Sequence, residues 1–424
     1  MKKNILVFPC GSEIALEFYR SVHFSPHFRL IGANSIDDHG RFVYDEYVGT
    51  VPFITSSDFI PVINGIVQKY KIDAIFPAMD SVISILKNNE NILGCKVICS
   101  PVETVDICLS KYRTYMALNA YILTPRLYTY NEIDTFPIFA KPDVGYGSRG
   151  TKLIKNQKAL EDYHEDYPDS LYCEYLPFDE YTVDCFTNRK GELLFWAPRE
   201  RRRVMNGISV NTVPVREGLD EFEVIVEKIN ANMRFRGAWF VQLKRNKSGE
   251  LCLLEVASRF GGSSSSLFRL KGVNFALLSL YDAFDIDVGI IENDYSLELD
   301  RSLTNVYRIA LHYDEVFVDF DDCILLGKSQ INIQLVSFLY KCINNKIKIT
   351  LLTRHSDNIY KTLENNRLLQ VFDRVIHLKP EEKKSDYIDN LNSIFIDDSY
   401  QERHDVSVYK QIPVFSIDMV EGLI

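Results

Sequence analysis

Two stretches of this chain carry residue types that handle phosphate. In "FAKPDVGYGSRG", residues 139–150, an apolar strand ends on Lys141 and runs at once into a loop holding three glycines. Glycine tolerates positive φ and lets the backbone approach a ligand closely. The N–H groups of residues 145–150 can therefore form an anion nest beside a fixed ammonium. In "VFVDFDDCILL" an apolar strand ends in Asp319, Asp321 and Asp322. Two later strands also end on polar groups: "ITLLTRH" on Thr353, and "SIFIDDS" on Asp397 and Asp398. Strand C-terminal ends form the usual ligand crevice of a parallel sheet. Carboxylates that converge there repel one another unless a cation sits among them, and Mg²⁺ suits an all-oxygen set.

Neither stretch suffices by itself. A Gly-rich loop is also an ordinary hairpin turn, and an isolated D-x-D also serves as a helix cap or exposed turn. Further residues add weight in the middle of the chain. Lys111 lies upstream in "LSKYRTYMAL", and "CEYLPFDEYTVDCF" places Glu174 and Glu180 around an apolar hinge. "AWFVQLKRNKSGELCLLEVASRFGG" reads as two strands joined by the turn "NKSGE". Such strands are antiparallel, so Gln242 and Glu255 can lie close on one face. An amide oxygen, a carboxylate and phosphate oxygens are ligands that Mg²⁺ accepts. Taken singly, Lys111 is a surface helix residue, Glu180 a solvated charge and "RERRR" an exposed strand. The ordered set is what points to nucleotide chemistry.

The elements that must hold these residues follow from periodicity. Buried strands at "NILVF", "FRLIGANS", "DAIFPAM" and "KVICS" alternate with helices such as "GSEIALEFYRSV" and "FIPVINGIVQKYK". That order predicts a parallel sheet covered on both faces. The middle third has longer strands, "YTVDCFTN" and "LLFWAPRERRRV" among them, joined by turns such as "NRKGE". It reads as an α+β region rich in antiparallel sheet, ending in a short strand near residues 306–312. From Glu315 the α/β alternation returns. Its expected order is a strand, a helix through "NIQLVSFLYKCINN", "IKITLLTRH", a second helix, "RVIHL", a third helix, "SIFIDDS" and "IPVFSI".

A length of 424 residues suggests two to four domains at roughly 100–200 residues each. A net charge of -10 argues against a nucleic-acid partner, which needs a basic face. Nine scattered cysteines with no C-x-x-C pair fit reduced thiols and a cytoplasmic location. The lysines and apolar run at the N-terminus are interrupted by Pro9, which reads as a first strand rather than a signal peptide. No stretch approaches the ~18 apolar residues that span a bilayer, so no membrane partner is expected.

Over about residues 1–310 the order of motifs resembles the ATP-grasp superfamily, in particular the branch with carbamoyl phosphate synthetase, biotin carboxylase and carboxylate–amine ligases. The resemblance implies a Rossmann-like pre-ATP-grasp domain at 1–105 and an ATP-grasp domain at 106–312. It implies that Lys111 and Lys141 bind ATP phosphates and that the loop with Gly147, Ser148 and Gly150 closes over them. Adenine would be held at Glu174, Tyr175 and Leu176, and the ribose at Glu180. Gln242 and Glu255 would hold Mg²⁺, or Mn²⁺ in its place. Arg259, with Arg201 and Arg203, would stabilise the transferred phosphate or an acyl phosphate. The substrates implied are a small-molecule carboxylate and an amine or thiol. Relatives with this nucleotide fold are often dimers, so a homodimer is one expected assembly. One departure stands out. The family usually shows Glu-x-Asn-x-Arg, and "EVASR" has Ala257 in place of the asparagine. One-metal catalysis, weakened catalysis and nucleotide binding without turnover all stay open.

Over about residues 314–424 the chain resembles the haloacid dehalogenase (HAD) phosphatase superfamily, which implies a third domain at 313–424. Asp319 would be the nucleophile, and Asp321 would protonate the leaving group and then activate water. Thr353 would hold a phosphoryl oxygen. A lysine of "KPEEKKSDYI" would neutralise charge; Lys384 is favoured, with Lys383 and Lys379 as alternatives. Asp397, with Asp319 and a backbone oxygen at Asp321, would bind Mg²⁺, assisted by Asp398. No cap-sized insertion is present, so the site would be open to a phosphorylated substrate. The whole is expected to be an α/β and α+β multidomain enzyme with a HAD-like Rossmannoid domain lacking a large cap. It would join an ATP-dependent ligase to a phosphatase. The alternative is an ATP-binding regulatory module controlling the phosphatase.

Overall fold

The computed structural model describes every residue except Met1, Tyr146, Ser148, Asn206 and Leu303, and only the backbone of Val306. Lys3–Phe8 is the central strand of a five-stranded parallel sheet. Phe28–Ala33 and Glu46–Val48 flank it on one side, and Ala74–Pro77 and Lys96–Val97 on the other. Its run of apolar residues shows no alternation because both faces are covered. Ile5 and Val7 enter one core cluster, Leu6 and Phe8 another. The helix Phe59–Tyr70 buries Phe59, Ile63, Ile66 and Val67, the i, i+4, i+7, i+8 stripe of an amphipathic helix.

The middle of the chain forms two antiparallel sheets. The smaller has the order Leu127–Tyr128, Leu171–Glu174, Ile138–Lys141, Lys152–Ile154. The larger has seven strands, in the order Leu251–Ala257, Gly237–Arg245, Glu180–Thr187, Leu193–Met205, Ile208–Pro214, Leu297–Arg301, Asn305–Ile309. Two of its tight turns are built alike. Asn188 Oδ1 accepts from the N–H groups of Lys190 and Glu192, and Asn246 Oδ1 from those of Ser248 and Glu250. Gly191 at φ 84° and Gly249 at φ 83° supply the left-handed residue that each turn needs. A pairing irregularity between Gln242 and Leu243 shifts the register set by the second turn by one residue and places Gln242 directly opposite Glu255.

The last part of the chain is a five-stranded parallel sheet. Its order is Arg374–His377, Lys348–Thr353, Glu315–Val318, Ser393–Ile396, Val414–Phe415. The helix expected between "RVIHL" and "SIFIDDS" is a single 3-10 turn, Lys384–Tyr387. The segment is mostly charged and lacks the 3.6-residue apolar repeat that would give a longer helix a face to bury. The structure instead forms a helix over Tyr400–Lys410, whose first turn is capped by Ser399. This unit packs firmly against the rest: one core cluster includes Ile5, Phe268, Val316 and Phe415. Buried Arg269 donates to the Asp418 carbonyl and pairs with Glu421 at 2.6 Å. Asn293 exchanges two hydrogen bonds with the backbone of Val414. Among the described residues no helix is long and apolar enough to cross a membrane.

Candidate functional site

A cavity of about 250 Å³ is walled by both antiparallel sheets. Lys111, Lys141, Gly147, Glu174, Tyr175, Leu176, Glu180, Arg201, Gln242 and Glu255 all line it. Lys141 is buried, and its Nζ donates to Tyr115 Oη at 2.5 Å and the Leu254 carbonyl at 3.3 Å. Burial holds its pKa below the ordinary lysine range. An ammonium this buried with a phenol and a carbonyl as hydrogen-bond partners is suited to an anionic ligand, since burying a charge is costly unless it is paired.

Lys111 opens the helix Lys111–Leu118, and its Nζ donates at 3.3 Å to the carbonyls of Asp143 and Gly145. The Asp143 carboxylate ties that helix to the glycine loop, accepting from Tyr112 N and Ser110 Oγ, each at 2.7 Å. Gly150 has φ 71°, and a Cβ there would lie 2.9 Å from Pro142; it turns the loop rather than lining the cavity. Ser148 lies outside the described residues. Glu180 faces Arg201 Nε at 3.0 Å and Lys244 Nζ at 3.5 Å. Ala257 is buried opposite Phe240, so its position offers no metal ligand.

Two expected arginines are elsewhere. Arg203 is exposed and holds Asp300 at 2.9 Å on the outer part of the large sheet. Irregularities in pairing on either side of Arg203 break the alternation that would have kept it in line with Arg201. Arg259 makes a two-point pair with Asp80, at 2.8 and 2.7 Å, and lines a neighbouring cavity of about 530 Å³.

The C-terminal sheet gathers its own polar cluster at the strand ends. Lys384 Nζ lies 2.8 Å from Asp319 Oδ1 and donates to Asp397 Oδ2 at 2.6 Å, whereas Lys379 and Lys383 are exposed. Thr353 is buried, and its hydroxyl faces the Asp319 carboxylate. A buried hydroxyl and ammonium beside buried carboxylates fit a site for a phosphoryl group. Asp319, Asp398 and Cys323 each offer a ligand atom within 4.8 Å of the others. Both oxygens of Asp397 are engaged, by Lys384 and by Ser399 N. Asp398, expected only to assist, stands with Asp319 in the metal-capable set, while Asp397 faces Lys384. The Asp321 carboxylate is half-exposed and meets His355 Nδ1 at 2.9 Å, while His355 Nε2 reaches Thr362 Oγ1 at 3.0 Å.

Burial, and then the charge of Asp319, pushes the Asp397 carboxyl up to about 7. Burial first raises Asp319 and Asp398 as well. Burial alone would lower Lys384, but Asp319 and Asp397 hold its ammonium above the ordinary range. A carboxyl with a raised pKa keeps its proton where a free aspartate has lost it, so acid competes with metal. Mg²⁺ affinity at this cluster is expected to fall in acid, and to do so at higher pH than for free aspartates, because Asp319 and Asp398 are both raised. Calorimetric titration of Mg²⁺ between pH 5.5 and 8 checks this, and pH-independent affinity would contradict it.

Several site residues escape sequence reading. Tyr115 follows Lys111 by one helical turn, and Lys244 follows Gln242 by one strand repeat, so periodicity could have found both. Arg199, two before Arg201, is buried with Nε on Asp184 Oδ2 at 2.7 Å and does not line the cavity. His355 and Cys323 carry no spacing signal that marks them.

A family model described as "ATP-grasp in the biosynthetic pathway with Ter operon" matches residues 166–299. Among solved structures, the chain is similar to the biotin carboxylase domain of Hydrogenobacter thermophilus 2-oxoglutarate carboxylase, solved with MgADP, ADP and bicarbonate. That likeness has 15% identity, 71% of this chain, 74% of that one and a TM-score of 0.61. An L-amino acid ligase from Bacillus licheniformis is similar at 15% identity over 71% and 79% of the two chains, TM-score 0.58. N5-carboxyaminoimidazole synthetase from Staphylococcus aureus, complexed with ADP, is similar at 16% over 71% and 82%, TM-score 0.58. Comparison with curated proteins finds no match. At these identities the likeness to solved structures is one of fold, and the family model adds an ATP-grasp match over residues 166–299; none of these relatives is named as a phosphatase.

Proposed function

We propose that the protein is an ATP- and Mg²⁺-dependent ligase joining a small-molecule carboxylate to an amine or thiol, with a Mg²⁺-dependent HAD-type phosphatase as its C-terminal unit. The observation that carries the first activity is the pairing of Gln242 with Glu255 across one register position of the cavity that holds buried Lys141. The similar folds solved with ADP support it. A carboxylate oxygen attacks the γ-phosphorus of ATP and ADP leaves. The amine or thiol then attacks the carbonyl carbon of the acyl phosphate, and phosphate leaves. Lys111 and Lys141 orient the phosphates, while the loop 145–150 shields the acyl phosphate from water. Mg²⁺ at Gln242 and Glu255 would neutralise phosphate charge. The proposed compartment is the cytoplasm, and a homodimer is the proposed assembly.

The phosphatase reading rests on Lys384 bridging Asp319 and Asp397 beside the buried Thr353 hydroxyl. An Asp319 oxygen attacks phosphorus, the ester P–O bond breaks, and Asp321 donates its proton to the leaving oxygen. Water then attacks the aspartyl phosphate with Asp321 as base, which releases phosphate and restores Asp319. His355 orients the Asp321 carboxylate throughout. Mg²⁺ at Asp319 and Asp398 would offset the charge of the incoming phosphate.

Ala257 favours a second reading, in which the nucleotide site regulates the phosphatase. Full-length protein with Mg²⁺, ATP and a panel of carboxylates with amines or thiols tests the choice. Ligase activity predicts ADP and phosphate release that requires both partners. ATP binding without release under any pairing, together with a phosphatase rate that responds to ATP, would establish the regulator instead.

A further inference from the structure

The C-terminal unit has little of its own to enclose a substrate. Between Asp319 and Thr353 it inserts only the short hairpin of Leu325–Leu326 and Gln330–Ile331. Yet Asp398, a member of the metal-capable cluster, also lines a cavity of about 560 Å³ whose walls come from three parts of the chain. Ser25 and His27 belong to the N-terminal sheet unit, Tyr281 and Val288 to the ATP-grasp region, and Tyr400 and Arg403 to the C-terminal unit itself. The contact is close. A Cβ on Gly289 would lie 2.5 Å from Tyr400 Oη, so the segment carrying Val288 abuts the hydroxyl end of that ring. Arg403 Nη1 donates to the Asp397 carbonyl at 2.6 Å and fixes the cavity to the strand end that bears the acids.

We propose that this cavity receives the organic part of a phosphomonoester whose phosphate sits at Asp319, the two preceding units serving as the lid that the C-terminal unit lacks. The inference rests on the phosphatase reading. The lining fixes the ligand class. Aromatic and aliphatic side chains dominate it, and Asp287, Asp322 and Asp418 outnumber the cationic candidates Arg403 and His27. A second anionic group on the ligand would be repelled there. The leaving group is therefore uncharged and largely apolar or aromatic.

The test uses the full-length protein with Mg²⁺ and two probes, 1-naphthyl phosphate and acetyl phosphate. The naphthyl ester should have the higher kcat/KM. Ser25→Trp and Val288→Trp fill the cavity from two different units. Each should lower the naphthyl-to-acetyl ratio by about tenfold or more, the scale at which apolar pockets discriminate, mainly through KM. Calorimetry supplies a readout without turnover and without variants: benzylphosphonate should bind the wild-type protein at least about tenfold more tightly than methylphosphonate. Equal phosphonate affinities, or ratios within about twofold of wild type in both folded variants, would overturn the assignment of the cavity. Hydrolysis that survives Asp319→Asn would sink the phosphatase reading itself, which separates the two failures.

Discussion

Asp319→Asn is expected to lower Mg²⁺-dependent hydrolysis of 4-nitrophenyl phosphate by about 10³-fold or more, the scale of removing a covalent nucleophile. The substitution keeps the side chain's shape but replaces a charged oxygen nucleophile with a neutral amide. Lys384 keeps Asp397 as a partner at 2.6 Å, so no buried ammonium is stranded. Removing one carboxylate also relieves the repulsion that raises Asp397. The variant should therefore fold, and near-wild-type thermal unfolding should accompany the loss of rate. Hydrolysis at the wild-type rate would remove Asp319 from the chemistry.

Glu255→Gln is expected to cut ADP formation by about 10²–10³-fold, the size of losing one preorganised electrostatic contact at a transferring group. Glutamine preserves the length of the side chain and the strand pairing with Gln242. It removes the only formal negative charge of that pair, and a neutral pair binds a divalent cation weakly. Single-turnover ADP formation with saturating ATP checks this. A reduced rate that saturating Mg²⁺ partly restores would locate the defect in metal binding. An unaltered rate would show that metal and nucleotide are held elsewhere.

Much of the site was legible because strand periodicity and turn chemistry fix positions locally. The turn "NKSGE" shows that its two strands are antiparallel, but the pairing irregularity between Gln242 and Leu243 that sets Gln242 opposite Glu255 carries no signal in the sequence. The strand ends at Lys141, Asp319 and Thr353 were readable because each apolar run stops on a polar residue, although all three are buried. Long-range partners were not readable. Nothing within "PRERRRV" shows that irregular pairing carries Arg203 outward to Asp300. Nor does it show that Arg199 is buried against Asp184. Arg259 follows its strand as expected but is claimed by Asp80, 179 residues away in sequence. The choice among Lys379, Lys383 and Lys384 depended on how a charged segment folds, and a 3-10 turn in place of a helix buries Lys384. Asp397 and Asp398 are adjacent, so only side-chain direction separates the lysine partner from the metal-capable acid.

Titration of the full-length protein with the non-hydrolysable ATP analogue AMP-PNP, with and without Mg²⁺, reaches the central claim most directly. Saturable one-to-one binding that strengthens with Mg²⁺ is predicted, weakened by about tenfold or more in Glu255→Gln through the lost metal contact. Absence of binding, or binding indifferent to both Mg²⁺ and the substitution, would contradict a nucleotide clamp built on Lys141, Gln242 and Glu255.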